Sequence, residues 1–547
     1  MASLNPFGGA LGRRQVAHLL KRTTFGPTKL QIDQYTGSTP AQVLTQLFTP
    51  VADPAPPGDP LTGQPWVNPK PTDLNSDNGD LITFFRGWWL EQMYNEGISI
   101  RERMTYFLHT HFTTGYITVN DSTALYYQNA LFRQYATGNF KEVSKKLCLD
   151  NAMLIYLDGR LNEVGRPNEN FAREYFELYT IGKGPQIGPE DYTTYTEQDV
   201  QEAAKVLSGY INDEEYLETD PDTGLITGIL RVNASNLANR HDASVKTFSN
   251  AFGGTTIQPN EVIDNWATKE AALDELDQLV EMIFNQEATA KHICRKLYRY
   301  FVYYDITDEI EQDIITPLAN TFRTNNYEFQ PVLEQLFSSQ HFFDTDNGGA
   351  DDHNRGAIIK SPLDLVIGSL RFFEVDVPDS STEPEQALNV SYRSLLGNMN
   401  DQGMSFYDPP EVAGYPAYHQ TPEFNRNWIS NNGLARRYQF SDVLVQNGDN
   451  QGFQLDIVAY VDNPQHISDP ADPQVLVQEL VDDLFPEIIT QERFNYFKDD
   501  ILLDTLSALN WAGEWNNYKA TGDDTNVRIQ LESLIRALMQ SPEYQLY

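Results

Sequence analysis

The sequence predicts a mainly α-helical fold, a large multi-helix globular unit with a small inserted β-hairpin region. Two observations carry this prediction. Apolar residues recur at three- and four-residue steps along most of the 547-residue chain, which is the spacing of one buried helix face. At residues 211–258 this period gives way to short apolar segments between acidic and glycine-rich turns, as in a hairpin. No fixed repeat length is visible, which argues against a solenoid.

The first 210 residues carry clear helix signals. Pro40 directly after Thr39 marks a helix start, because proline is favoured at the first helical position. Residues 51–75 are rich in Pro, Gly and Asp and predict an irregular connector. An aromatic stripe at helical steps indicates a core face; it consists of Phe84, Phe85, Trp88, Trp89 and Met93. Helices are predicted over residues 14–21, from 40 onward, and over 81–112 (one or two), 122–136, 139–148, 167–181 and 197–208.

The rest of the chain repeats this pattern after the inserted region. Loops are predicted at residues 344–355, 376–386 and 400–423, which are rich in Asp, Gly or Pro. Helices are predicted over 262–284, 287–303, 308–323, 328–337, 357–373, 426–445, 473–484, 490–512 and 526–539. We therefore expect an N-terminal helical region (1–210) with the candidate site, an acidic loop and β-hairpin insertion (211–258), and a C-terminal helical region (259–547) packed with the first as one unit.

Composition and charge exclude several classes of protein. Lys and Arg number 39 against 77 Asp and Glu, a net charge of −38, which argues against nucleic-acid binding and against an anionic membrane surface. The two cysteines, Cys148 and Cys294, exclude a disulfide scaffold and are expected as buried thiols. No apolar stretch reaches the length of a membrane span. No signal peptide is evident, so the chain is expected in the cytoplasm as it stands, and in the envelope or outside the cell if a leader was removed.

Several segments, taken in order, carry a resemblance to a known family. They are Arg14 to Gly26, Phe107 to Thr114, Arg166 to Gly182, His241-Asp242 with Lys246, Arg295 to Phe301, Lys360-Ser361-Pro362, Pro409 to Tyr415 with Asn427-Trp428-Ile429, and Arg536 to Tyr544. Through them the chain resembles the bacterial family catalogued as domain of unknown function 1800 (DUF1800) over most of its length. The resemblance implies no particular reaction. It does imply a DUF1501 family protein as a partner, because genes of the two families are often neighbours.

The sequence departs from this family in two ways. An export leader, which many members carry, is not evident, so the sequence does not predict export. Tyr175 and Tyr415 stand where the family more usually has Leu and Trp, which we expect to be conservative packing changes.

A His-x-His pair, His109 and His111, is the first candidate metal site. In an extended segment, positions i and i+2 face the same way and can share an ion, whereas on a continuous helix they point about 200° apart. Thr113-Thr114-Gly115 suggests that a helix ends here, which leaves the extended geometry open. The alternative is one core histidine and one capping histidine.

The densest polar cluster lies on the helix predicted over 167–181. Glu174 and Glu177 are one turn apart and are the expected acid and base, with Arg173 and Asn170 beside them. Two carboxylates at this spacing also suit a metal ion. The alternative is a surface ladder of Glu and Arg pairs, each worth a few tenths of a kcal/mol.

His241, Asp242 and Lys246 form a second candidate cluster of metal ligands or proton carriers, or else they cap a loop. If this cluster met the His-x-His pair and the glutamates, the set would suit a divalent transition metal ion. A calcium ion is a weaker expectation at Asp344, Asp346 and Asp351, whose loop lacks the closing Glu of an EF-hand and also suits a solvated acidic loop.

A stiff turn rich in proline is expected to line a pocket or to close the core. Its residues Pro410, Gly414 and Tyr415, together with Trp428 and Lys246, are the expected pocket wall. Two functions follow from the sequence. One is a metal-dependent enzyme with a His/Glu site that acts on a polar substrate. The other is a non-catalytic acidic envelope or surface protein that assembles with a partner and is stabilised by calcium.

Overall fold

The computed structural model describes residues 2–67, 76–346, 356–446 and 453–547 and confirms the mainly α-helical fold. Among the described helices, none combines the length and apolar character that a membrane span needs. The first eleven α-helices are Arg13–Thr23, Lys29–Tyr35, Pro40–Leu47, Asn78–Asn95, Arg101–His111, Tyr116–Val119, Ser122–Gln134, Phe140–Leu147, Asn151–Tyr156, Asn170–Glu174 and Glu197–Val206.

The later α-helices follow a β region. They are Lys269–Phe284, Glu287–Phe301, Asp308–Ile310, Thr316–Thr324, Phe329–Phe337, Pro362–Phe372, Pro384–Gln386, Arg393–Asp401, Pro416–His419, Asn431–Gln446, Ile457–Asp462, Pro473–Leu484, Gln491–Asn495, Ala508–Thr521 and Thr525–Met539. π-Helical turns occur at Tyr175–Tyr179, Glu311–Ile315, Ala387–Tyr392 and Tyr496–Leu502, and 3₁₀ turns at Gly159–Leu161, Asn250–Phe252, Phe424–Trp428 and Glu543–Gln545.

The β region is wider than predicted and consists of short antiparallel pairs. Gln186–Gly188 pairs with Asp191–Tyr192, Tyr210–Ile211 with Ile229–Leu230, and Lys246–Thr247 with Thr256–Ile257. A three-stranded sheet has the order Leu237–Ala238, Trp266–Thr268, Val262–Ile263. An isolated pair of strands is only marginally stable, so such pairs need a further strand or a helix to pack against. The final sheet leads directly into the Lys269–Phe284 helix.

Most predicted helices are present, and their errors lie at the ends. The helix predicted from 262 begins at Lys269, because Thr268 caps it and residues 262–268 pair as strands. The helix predicted over 490–512 is broken between Leu502 and Ala508. The helix signal at Thr39-Pro40 is confirmed, with Thr39 and Gln42 forming a capping box.

One core of buried apolar side chains extends through the described chain from Leu11 to Tyr544. The aromatic stripe is confirmed as core, since Trp89 and Met93 are completely buried. Gly87 on the same helix lies so close to the Tyr392 ring that a Cβ there would sit 2.0 Å from a ring carbon. Both cysteines are buried and free. The domain boundaries drawn from the sequence stay a prediction.

Candidate active site

The polar helix singled out by the sequence changes from α to π geometry in the middle. Its α-helical part is Asn170–Glu174 and its π-helical part is Tyr175–Tyr179. The side chains of residues 171, 175, 176 and 179 are buried and pack this helix into the core. π-Helical turns are rare and often occur at functional sites. The change of geometry falls between Glu174 and Glu177, the two carboxylates expected to act as acid and base.

Three side chains from distant segments hold the carbonyl groups at the end of this π-helical turn. Lys296 Nζ donates to the Leu178 carbonyl at 2.9 Å, and His292 Nε2 donates to the same oxygen at 3.1 Å. His111 Nε2 donates to the Tyr179 carbonyl at 3.0 Å. Terminal helix carbonyls need such partners when they are removed from water. The three donors therefore fix the turn in place.

His111 is a neutral imidazole whose tautomer follows from its partners. A carbonyl oxygen only accepts, so the proton is on Nε2, and Nδ1 accepts from Lys296 Nζ at 3.1 Å. Burial, with the positive charge of Lys296, lowers the pKa of His111 well below its usual value. Burial likewise lowers the pKa of Lys296 to about 7. His111 is thus a positioning residue that acts on the backbone.

His109 lies on the same helix in an aromatic box. The centre of its ring is 4.0 Å from that of Tyr407 and 5.7 Å from that of Trp89. Neither ring nitrogen bonds any described residue, and burial lowers the pKa of His109 to about 3. Because both histidines belong to the continuous helix Arg101–His111, the extended geometry that a shared ion requires is absent here, and that sequence interpretation is corrected.

The metal content of the protein is expected to be independent of the His-x-His pair. We expect plasma mass spectrometry to find the same transition-metal content in the wild type and in His109→Phe, which keeps an aromatic ring in the box. A stoichiometric metal ion that is present in the wild type and lost from folded His109→Phe would contradict this placement of the two rings.

The second candidate cluster forms a closed buried network around Glu275, a residue that the sequence reasoning did not single out. His241 Nε2 lies 2.5 Å from one carboxylate oxygen of Glu275, and Lys246 Nζ donates to the other at 2.6 Å. All three side chains are completely buried. The Asp242 carboxylate instead accepts from the Ser244 N–H at 2.8 Å. This network fastens the β region to the Lys269–Phe284 helix and leaves His241 no free ring nitrogen.

The expected convergence of all the histidines and glutamates in one cleft is therefore not observed. His241, through its Nδ1, approaches the Ser208 carbonyl at 3.0 Å, away from the partners of His109 and His111 described above. Among the residues that the structure describes, no group of three or more His, Cys, Asp or Glu side chains is placed to hold a metal ion.

The expected calcium ligands have a mixed outcome. Asp346 Oδ2 accepts from His341 Nδ1 at 2.9 Å and from the Ser3 N–H at 2.8 Å. Asp344 is buried at the preceding turn. Asp351 lies outside the described residues, so the calcium site stays a prediction.

The expected pocket wall is placed mostly in the core. Tyr415 and Trp428 are buried, with ring centres 5.9 Å apart, and Tyr415 donates to the Ser405 carbonyl at 2.7 Å. Gly414 has a φ of +104° and packs so closely that a Cβ would lie 3.0 Å from the Thr110 carbonyl. Pro410 is exposed, and Lys246 belongs to the buried network. The turn therefore closes the core against the end of the Arg101–His111 helix, as the alternative interpretation expects.

Arg173 and Asn170 make structural contacts rather than contacts to a cleft. Arg173 forms a two-pronged ion pair with Glu197, at 2.8 and 2.9 Å. Asn170 donates through Nδ2 to the Leu157 carbonyl at 3.3 Å. Because its donors are occupied by Glu197, Arg173 does not act as a free charge beside the glutamates.

Glu174 differs from its neighbours because its carboxyl group has no hydrogen-bond partner among the described residues. Burial, with the negative charge of Glu177, raises the pKa of Glu174 to about 7. Glu177 is instead paired with the Lys183 ammonium and accepts from the Tyr195 hydroxyl at 3.3 Å. Of the two neighbouring glutamates, Glu174 is half-buried without a hydrogen-bond partner, whereas Glu177 is paired with an ammonium group. Such a difference in environment moves the pKa values of two carboxyl groups apart, so that one can act as an acid beside an ionised neighbour.

Tyr156 lies near both Glu174 and Asp408, and the sequence predicts no role for Tyr156 or Asp408. Burial, with the negative charges of Asp408 and Glu174, raises the pKa of Tyr156 to about 12. Burial also raises the pKa of Asp408. Gly115 packs closely against both, since a Cβ there would lie 2.6 Å from Asp408 Oδ1 and 3.6 Å from the Tyr156 ring. A side chain at 115 would therefore displace Asp408.

The comparisons with known proteins give one match. A family model described as protein of unknown function (DUF1800) matches residues 18–546, nearly the whole chain. Neither the comparison with curated proteins nor that with solved structures gives a match.

Proposed function

The chain belongs to the DUF1800 family, which is described as of unknown function, so we propose a function from the site alone. The protein is an enzyme that uses Glu174 as a general acid and base on a polar substrate. The observation that supports it is the Glu174 carboxyl group, which is half-buried, has no hydrogen-bond partner among the described residues and has a pKa of about 7. A catalytic carboxyl group works best when its pKa is near the working pH.

The neighbouring groups have separate roles in this proposal. Glu177, held by Lys183 and Tyr195, supplies a fixed negative charge that keeps the proton on Glu174. The Tyr156 hydroxyl is a donor toward the substrate. In a hydrolytic reaction, Glu174 as a carboxylate takes a proton from the attacking water, and as an acid it returns that proton to the leaving group.

The charge of the chain indicates the class of substrate. Its net charge is −38. The two cations near Glu174, Lys183 and Arg173, are each paired with another glutamate. A field of this sign repels anions and attracts neutral or cationic molecules. We therefore propose an uncharged or cationic polar ester, amide or glycoside. The divalent ion expected at His109 and His111 is not part of this proposal, because the two rings do not face a common point.

A substrate panel tests the proposed function. Wild-type protein and Glu174→Gln are assayed on uncharged, cationic and anionic chromogenic esters, amides, glycosides and phosphoesters between pH 5 and 9. The proposal expects turnover of an uncharged or cationic class that depends on Glu174, with an inflection near pH 7. Turnover that is equal in the two proteins, or an absence of turnover across the panel, would count against it.

A second candidate function is assembly with a partner protein, for which we propose a DUF1501 family protein. Exposed apolar side chains near the start of the Ala508–Thr521 helix favour it, above all Leu509, which is 85% exposed, with Leu506 at 54%. Clustered apolar exposure is typical of interaction surfaces. Co-purification of the two proteins that is lost in Leu506→Ser/Leu509→Ser would support this alternative.

A further inference from the structure

A small cavity lies far along the chain from the glutamate site, where the two ends of the protein meet. Its volume is about 30 Å³, and a water molecule needs at least about 10–15 Å³. The first helix, the Pro362–Phe372 helix and the C-terminal residues form its walls. Its lining includes Lys21, Lys360, Asp364, Asp483, Tyr544 and Tyr547.

Lys360 is the unexplained group in this cavity. Its side chain is buried, with 8% exposed, and its ammonium lies 3.7 Å from the centre of the Tyr544 ring. Within the described residues the ammonium has no carboxylate or carbonyl acceptor. A ring face alone is a weak substitute for water around a buried charge. The ammonium therefore requires a further partner or loses its proton.

Positively charged groups nearby make a further partner for the Lys360 ammonium more necessary. Lys21 lies close by and donates to the carbonyls of Asp483 at 2.7 Å and Leu484 at 3.2 Å. Burial, with the positive charges of Lys21 and Arg437, lowers the pKa of Lys360 well below its usual value. Two lysine side chains thus line one small cavity.

The two carboxylates in the walls do not neutralise Lys360. Asp364 is paired with Arg103 and also accepts from Ser361 Oγ at 2.7 Å and from the Tyr547 hydroxyl at 3.0 Å. Asp483 accepts from Arg13 Nε at 2.5 Å. Both carboxylates are therefore engaged by other donors, and neither compensates the charge of a protonated Lys360.

We propose that this cavity binds a small monovalent anion, such as formate, acetate or chloride, between the ammonium groups of Lys360 and Lys21. Its volume admits an ion of a few heavy atoms and excludes a sugar acid. The proposal is independent of the glutamate site, since it uses none of the same residues.

The test uses ¹³C-formate and the full-length protein. The formate resonance is expected to broaden on addition of protein, to reach saturation, and to sharpen again when acetate is added but not when gluconate is added. Because this measurement needs no variant, it decides the proposal even if a substitution at Lys360 prevents folding. Broadening that gluconate reverses equally well, or none at all, would overturn it.

A variant pair locates the site. Lys360→Met is expected to abolish the formate broadening and the rise in Tm that formate causes, which is about 1 °C at tenfold excess over Kd. Lys205→Met removes a lysine that is 34% exposed and paired with Glu202, and it is expected to change neither signal. Unchanged broadening in folded Lys360→Met would place the anion elsewhere and contradict the proposal.

Discussion

Glu174→Gln is expected to lower kcat/KM by about 10²–10⁴-fold on whichever substrate class the protein turns over. Glutamine keeps the size and shape of the side chain but carries no proton that titrates. The loss should appear mainly in kcat, because the group acts in the transition state rather than in binding. The measurement is the pH–rate profile from pH 5 to 9, in which the inflection near 7 should disappear with the variant.

Two matched variants separate chemistry from general disturbance. Glu270→Gln changes an exposed glutamate and should leave the profile unchanged. Burial raises the pKa of Glu174, and the charge of Glu177 raises it further. Glu177→Gln removes that charge, so the inflection should move to lower pH while activity persists. If Glu174→Gln retained the wild-type rate and profile, Glu174 would not be the acid or base.

The stability of Glu174→Gln provides an independent check. The folded pKa of Glu174, about 7, is above its ordinary value of 4.5, so between these values the folded state binds more protons than the unfolded state. The contribution of Glu174 to stability therefore falls as pH rises from about 4.5 through 7. We expect Glu174→Gln to unfold at a higher temperature than the wild type at pH 8, with a smaller difference at pH 4.5. A variant that is less stable at pH 8 would contradict the raised pKa.

Glu275→Ala is expected to destabilise the fold by about 3–5 kcal/mol, because it leaves the buried Lys246 ammonium without its carboxylate. Lys246 Nζ lies 2.6 Å from Glu275 and has no surface exposure. The loss also frees His241 from its partner at 2.5 Å. Urea unfolding, followed by circular dichroism, measures the change in the free energy of unfolding.

The control for this prediction lies on the same helix. Glu270→Ala removes an exposed glutamate in the first turn and should cost less than about 1 kcal/mol. The double variant Lys246→Met/Glu275→Leu removes both charges and should recover much of the loss, since a buried ion pair is often replaceable by apolar side chains. A small effect of Glu275→Ala would show that the network is open to water.

The helices were predictable because their signals are local. Pro473–Leu484 follows from periodicity alone, and the Thr39 cap follows from a short motif. The predicted β region, 211–258, is too narrow because the strands are only two or three residues long. Pairs of this length depend on contacts that the local sequence does not encode.

The candidate site was predictable only in part. The sequence correctly drew attention to the helix that carries Glu174, yet it could not show which of four polar residues lacks a partner. Arg173 is neutralised by Glu197, which is 24 residues later in the chain. The position of Lys296 is a sequence signal for the site that the prediction does not use. Lys296 lies on the same face of its helix as the buried Ile293 and Tyr300. A lysine at an apolar position is a candidate for a buried polar contact.

The titration of Glu174 tests the central claim most directly. Protein labelled with ¹³C at the glutamate side-chain carboxyl carbon is observed by NMR from pH 4 to 9, and the Glu174 resonance is the one missing in Glu174→Gln. The account predicts a midpoint of about 7 for this resonance. A midpoint near the ordinary glutamate value of 4.5 would contradict it and leave Glu174 as an ordinary carboxylate.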